Sequence, residues 1–124
     1  MSIQNRSNTE SYVANVDLSS SQYYGVKLDA QGDGVGLAGA GEWGGFLQNQ
    51  PEQYATAEVA MQPGQNSYAI IADSSASVGD QMKFDASGML TVTTTISDLV
   101  VARMLIATST SGEIGVVKIL DQKL

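Results

Sequence analysis

Residues 32–51 read GDGVGLAGAGEWGGFLQNQP. The stretch holds seven of the thirteen glycines, the only tryptophan and one of the two prolines. Glycine takes positive φ at little steric cost, so a backbone this rich in it can turn, bulge and pack closely. Gly32-Asp33-Gly34 is a turn signal. Gly44-Gly45 leaves bare backbone beside the Trp43 ring, a pattern that in strands marks a bulge or a close approach. The stretch reads as a hairpin and strand whose shape matters more than its chemistry.

Outward from it, the chain reads as short strands. Tyr23–Leu28 precedes it, and Tyr54–Met61, YATAEVAM, follows with alternating apolar and polar residues. Pro63-Gly64-Gln65-Asn66 turns the chain into Ser67–Ala72. Val78–Phe84 is next, then the turn Asp85-Ala86-Ser87-Gly88, then Met89–Thr95, MLTVTTT. Leu99–Ala107 is the most apolar run, and periodicity there fits helix or strand. Ile114–Leu120 closes the chain. Turn signals every 8–12 residues suit an all-β sandwich or barrel. The expected fold is mainly β: a small single-domain antiparallel β-barrel or sandwich with at most one or two short helices, within Ser97–Thr108. No internal repeat is read and no second domain.

Residues 1–22 are polar, with sparse apolar residues at Ile3, Tyr12, Val13, Val16 and Leu18. Such a segment buries little surface alone. It reads as an extended N-terminal arm that could dock on a partner's sheet edge, followed by a β-rich body over 23–124. On this reading, deleting residues 1–14 leaves the body folded and weakens partner binding.

Composition excludes several functions. The 124 residues carry a net charge of −7 and no basic cluster, which disfavours nucleic acid and anionic membrane surfaces. There is no cysteine and no histidine, so thiolate chemistry and the commonest general base are missing. No apolar run approaches the ~20 residues of a membrane span. The first residues lack a signal peptide's apolar region. Gly34-Val35-Gly36-Leu37-Ala38-Gly39 spells GxGxxG, with Glu58 beyond it, but a dinucleotide loop needs a helix to open there. The glycines that follow and Pro51 argue against one. Asp29–Gly34 starts like a calcium loop, yet Ala40 stands where a bidentate Glu is required. Asp80 and Asp85 flank turns, where Asp bonds to local backbone. No cofactor or metal is expected. Trp43, Phe46 and Tyr54 read either as packing residues or as an aromatic platform.

Several phrases together carry a resemblance: Ala38-Gly-Ala-Gly-Glu42, Gly45-Phe-Leu-Gln-Asn49 before Pro51, Val78-Gly-Asp80 with Asp85-Ala-Ser-Gly88, and Gly112-Glu-Ile114. Their succession resembles the capsid decoration, or cement, proteins of tailed bacteriophages over residues 23–120. That family shows a G-E-x-x-G-V-L-Q-N-x-P phrase, then G-D … D-A-S-G, then G-E-x-x-x-V. Phe46 and Trp43-Gly44 depart from its small-residue choices. The resemblance implies a β-rich knob, often trimeric, on the outside of an expanded head, clamping neighbouring capsomers. Its partners would be the major capsid protein and further copies of itself. It implies synthesis in the host cytoplasm, a place on the virion and no enzymatic activity. A glycan- or surface-binding module using the three aromatics is the alternative. A hydrolase working with Asp and Glu alone is the third reading.

Overall fold

A computed structural model describes residues 9–30 and 32–123. Ten strands make up the fold: β1 (Thr9–Ala14), β2 (Gly25–Leu28), β3 (Gly34–Leu37), β4 (Gly45–Leu47), β5 (Thr56–Ala60), β6 (Asn66–Ile71), β7 (Gln81–Phe84), β8 (Leu90–Val92), β9 (Leu99–Met104) and β10 (Glu113–Lys123). No helix occurs among the described residues. The run whose periodicity fits helix or strand forms β9. Its Leu-Val-Val start suits a strand, and Val100, Val101, Ala102 and Met104 are all buried.

The strands close into two five-stranded barrels, β1-β3-β2-β4-β5 and β6-β8-β7-β9-β10. The fold is all-β, as expected, but not all antiparallel. β1 lies parallel to β3, and β6 lies parallel to β8. Eight strands give a barrel just wide enough for side chains, so five leave a narrow bore. The first barrel is filled accordingly by small residues: Ala14, Val26, Val35, Ala57 and Val59, with Leu18 and Leu47 beside them.

Both rings follow one order: first strand to third, second, fourth, fifth and back. The likeness reaches single hydrogen bonds. The Tyr23 N–H donates to the Leu47 carbonyl at 2.7 Å, and the Gly79 N–H to Met104 at 2.8 Å. The Tyr54 N–H donates to Ala14, and the Gly112 N–H to Ile71, both at 2.7 Å. Ala38 donates to Gly25, and Thr93 to Gln81, both at 2.9 Å. Left-handed residues also pair: Tyr23 with Gly79, Gly32 with Gly88, Gly41 with Ser97, and Tyr54 with Gly112. Among the described residues, only Gly64, in the connection between barrels, lacks a counterpart. The chain is therefore two copies of one five-stranded unit. This corrects the reading of no internal repeat.

Three of these left-handed residues are not glycine: Tyr23 (φ 69°), Tyr54 (φ 69°) and Ser97 (φ 76°). An L side chain in this region costs about 1–2 kcal/mol. Tyr54 is 76% exposed and stands where the second unit has Gly112. Tyr54→Gly and Ser97→Gly are each expected to raise stability by about 0.5–1 kcal/mol, the strain relieved less glycine's entropy cost. Urea unfolding midpoints check this, and an unchanged or lower midpoint for both would refute it.

The N-terminal reading also needs correction. Residues 9–14 are not an arm but a strand of the first barrel. β1 pairs with β5 from Thr9–Ala60 to Val13–Thr56, and with β3 at Val13 and Ala14. Ala14 and Leu18 are fully buried. Low hydrophobicity misled here because a strand inside a narrow ring needs only every second residue to be apolar. Residues 1–8, with Ile3, lie outside the described part.

The two barrels share one body of packing. Phe46 and Ala60 of the first barrel, with Ala38 just beyond β3, join the core of the second around Phe84, Met82 and Leu90. The Phe46 and Phe84 rings lie 5.4 Å apart, tilted by 58°. Backbone bonds cross the same junction: Gly25 N–H to Gly88 at 2.7 Å, Gly41 N–H to Phe84 at 3.2 Å, and Ile70 N–H to Tyr23 at 3.1 Å.

Candidate docking surfaces

The glycine-rich stretch builds the first barrel's side of the junction. A Cβ on Gly44 would overlap the Val26 carbonyl oxygen, and one on Gly25 would overlap the Phe84 ring. Gly44, in the stretch, lets backbone approach backbone within the first barrel, the shape role expected there, and Gly25, outside the stretch, admits the Phe84 ring at the junction. The GxGxxG residues fall on and just after β3, a strand, so no helix N-terminus faces a phosphate there.

The three aromatics do not assemble into a platform. Phe46 is fully buried against Phe84. Tyr54 is exposed in the β4–β5 connection. Trp43 is half-buried and packs against both cores. Its indole N–H is buried without a partner among the described residues. Trp43 also lines a cleft of about 460 Å³ with Glu10, Met61, Gln62, Pro63 and Asp121. The Tyr12 hydroxyl lies 3.5 Å from the Met61 sulfur and donates to Glu10 at 3.3 Å. Burial and the Glu10 charge push this phenol above its ordinary pKa. It stays neutral at working pH and acts as a donor.

Of the residues expected to touch a shell, Val13 and Val16 are 45% and 47% exposed, Tyr12 is half-buried, and Leu18 is fully buried. Val13 and Val16 present surface, and Leu18 is a core residue. The exposed side chains of β1 are tied to β5: Thr9 and Ser11 hydroxyls donate to Glu58 at 3.0 and 2.8 Å.

The acidic residues mostly serve the turns. Asp29 accepts from the Gly32 N–H at 2.8 Å and from the Asn15 amide at 2.9 Å; the Asn15 bond is the main cause of its lowered pKa. Asp85 accepts from Ser87 and Met89 amides at 2.8 and 3.0 Å. Asp80 accepts from the Ser77 N–H at 2.8 Å. Asp29, at the start of the calcium-like phrase, and Asp80 and Asp85 therefore all serve as turn caps. Among the described residues no group of three His, Cys, Asp or Glu is placed to hold a metal.

Each unit carries one matching ion pair. Lys27 meets Glu42 at 2.6 Å, and Lys83 meets Asp98 at 2.9 Å. Glu42 also accepts from the Gly39 N–H at 2.5 Å, and Asp98 from the Thr93 hydroxyl at 2.5 Å. The lysine bond first lowers the Glu42 pKa; for Asp98 the Thr93 bond leads and Lys83 follows. In both units the pair fastens the connection into the fourth strand onto the second strand. Sequence reasoning passed over these lysines, Phe84 as a junction residue and the cleft residue Asp121. For Lys27, Lys83 and Phe84 a signal existed, since Lys27-Leu28-Asp29-Ala30 and Lys83-Phe84-Asp85-Ala86 are two versions of one phrase.

No protein-family model matches the sequence, and no curated protein matches it. The fold does match a solved one. The chain superposes on the head fiber gp8.5 N base of bacteriophage phi29 with a TM-score of 0.70. The likeness covers 94% of this chain and 97% of that one, at 16% sequence identity. At that identity the comparison establishes a shared architecture from end to end.

Proposed function

We propose that this chain is a structural protein of a phage head, bound to the outer surface of the shell and acting without catalysis. The observation that carries the reading is the end-to-end likeness to a phage head-fiber base, of which almost nothing is left unmatched. The resemblance of its turn phrases to capsid decoration proteins points the same way. Histidine and cysteine are absent and several carboxylates are engaged in turns, which also fits a role in binding rather than chemistry. The partners are the major capsid protein and two further copies of the chain. Of the candidate shell contacts, Val13 and Val16 are exposed on the single chain, and Val16 is the one proposed to face the shell.

The test is density-gradient sedimentation of purified protein with undecorated heads. Co-migration is expected, together with retention of the heads' contents at a higher temperature. Failure to bind heads at any stage of expansion would overturn the reading.

A further inference from the structure

The two units meet through different faces. The first unit offers Tyr23, Gly25, Gly41 and Phe46; the second offers Tyr68, Ile70, Phe84 and Gly88. The contact is therefore heterologous, and such a contact leaves one unsatisfied half at each end of the array. The equivalences identify both halves by residue.

At the outer end of the first unit, Leu28 stands at the place of Phe84, Val13 at that of Ile70, and Glu10 at that of Ser67. Phe84 and Ser67 are buried, whereas Glu10 is exposed and Val13 is 45% exposed. At the outer end of the second unit, Arg103 stands at the place of Phe46 and Gly79 at that of Tyr23. Arg103 is exposed where Phe46 is buried. Beside them Val78 and Ile96 are 65% and 83% exposed, two of the most exposed large apolar residues among those described.

The two ends also differ in charge. Glu10 and Asp33 project at the first end, with Asp29 beside them. Arg103 is exposed at the second, and Lys118 takes the place of buried Ala60. Asp33 is an extra residue in the first unit's turn. Its carbonyl takes the Val13 N–H at 3.3 Å, the role that Tyr23 plays for Ile70 across the junction. The outer end thus keeps its backbone satisfied when unpaired and offers a carboxylate where the internal contact offers a peptide bond.

We propose that copies of this chain associate head to tail, the acidic outer end of the first barrel of one copy seating on the Arg103 face of the second barrel of the next. The contact reuses the geometry of the internal junction, with Val13 against Val78 and Ile96 and with charge complementarity replacing the Phe46–Phe84 contact. Complementary charge sets the register and makes the contact sensitive to salt. The number of copies rests on the trimeric reading above; the contact itself does not.

The experiment measures the mass of the purified protein by light scattering at low and high salt, without heads. An oligomer at low salt that dissociates at high salt is expected. Arg103→Glu is expected to weaken association at least about tenfold, the scale of a lost charged interface pair. Combining Arg103→Glu with Asp33→Lys is expected to restore it. Both sites are exposed, and circular dichroism verifies the fold of each variant. The chain has no native cysteine, so Val13→Cys with Ile96→Cys gives an intermolecular disulfide only if the two ends meet. A monomer at every salt and concentration, an oligomer indifferent to Arg103→Glu, or no disulfide would each overturn the proposal. Heads that bind a monomer would leave the decoration reading standing while removing this one.

Discussion

Removal of residues 1–14 is expected to unfold the first barrel. The cut takes away β1, which closes the ring between β5 and β3. Five cross-strand pairs with β5 are lost, each worth about 0.2–1 kcal/mol, along with the buried Ala14. β3 and β5 then expose unpaired edges and the small-residue bore between them. Several kcal/mol are lost from a fold whose whole stability is about 5–15 kcal/mol. Insoluble protein, or loss of cooperative unfolding in the first half, is the expected result. A cut after Asn8 keeps β1 whole and serves as the control. If the shorter chain missing residues 1–14 melts like the full protein, β1 is dispensable and the arm reading returns.

The second large effect is expected at Phe84. Its ring is fully buried, touches Phe46 and lies over the bare backbone of Gly25. Phe84→Ala opens a cavity at the junction of the two barrels, and such truncations cost about 3–5 kcal/mol. Phe46 and Phe84 should also be coupled by about 0.5–1.5 kcal/mol beyond area burial, as tilted ring pairs are. A double-mutant cycle with Phe46→Leu and Phe84→Leu, read from urea midpoints, measures that coupling. A cost below about 1.5 kcal/mol for Phe84→Ala would mean that the junction repacks freely.

The sequence disclosed the strands well because their ends are chemically marked. Pro63-Gly64 and Asp85-Ala-Ser-Gly88 lie in the turns that follow β5 and β7, and Gly112 directly precedes β10. The apolar run at 99–107 was ambiguous because Val101 is buried on the face opposite Val100, Ala102 and Met104, which leaves Arg103 as the one exposed residue of β9 and blurs the period-two signal. The closure of each ring was not legible. It depends on β1 meeting β5 and β6 meeting β10, pairings far apart in sequence and written only in register. The repeat was legible and overlooked. Asp29-Ala30 and Gly32 recur at Asp85-Ala86 and Gly88, and Lys27 recurs at Lys83 at the same spacing. The remaining identities are scattered, because the bore asks only for small apolar residues and many satisfy it. As for the aromatics, the sequence leaves Phe46 open between packing and a platform until the partner ring is known to lie on the neighbouring barrel.

The two matched rings set a hazard for the chain while it folds. Each barrel closes only when its first strand finds its last, a slow search over a long loop. During that search β6, which holds the place of β1 in the second unit, is a competing partner for β5. A chain that inserts β6 into the first ring satisfies much local pairing and strands β1 outside. Alternation alone does not discriminate between the two. Discrimination falls to single positions, above all the Glu58 carboxylate, which takes the hydroxyls of Thr9 and Ser11 on β1. In the corresponding places β6 carries Asn66 and Tyr68. Two surface hydrogen bonds of slight value to the finished protein thus help decide which of two equivalent strands closes the ring.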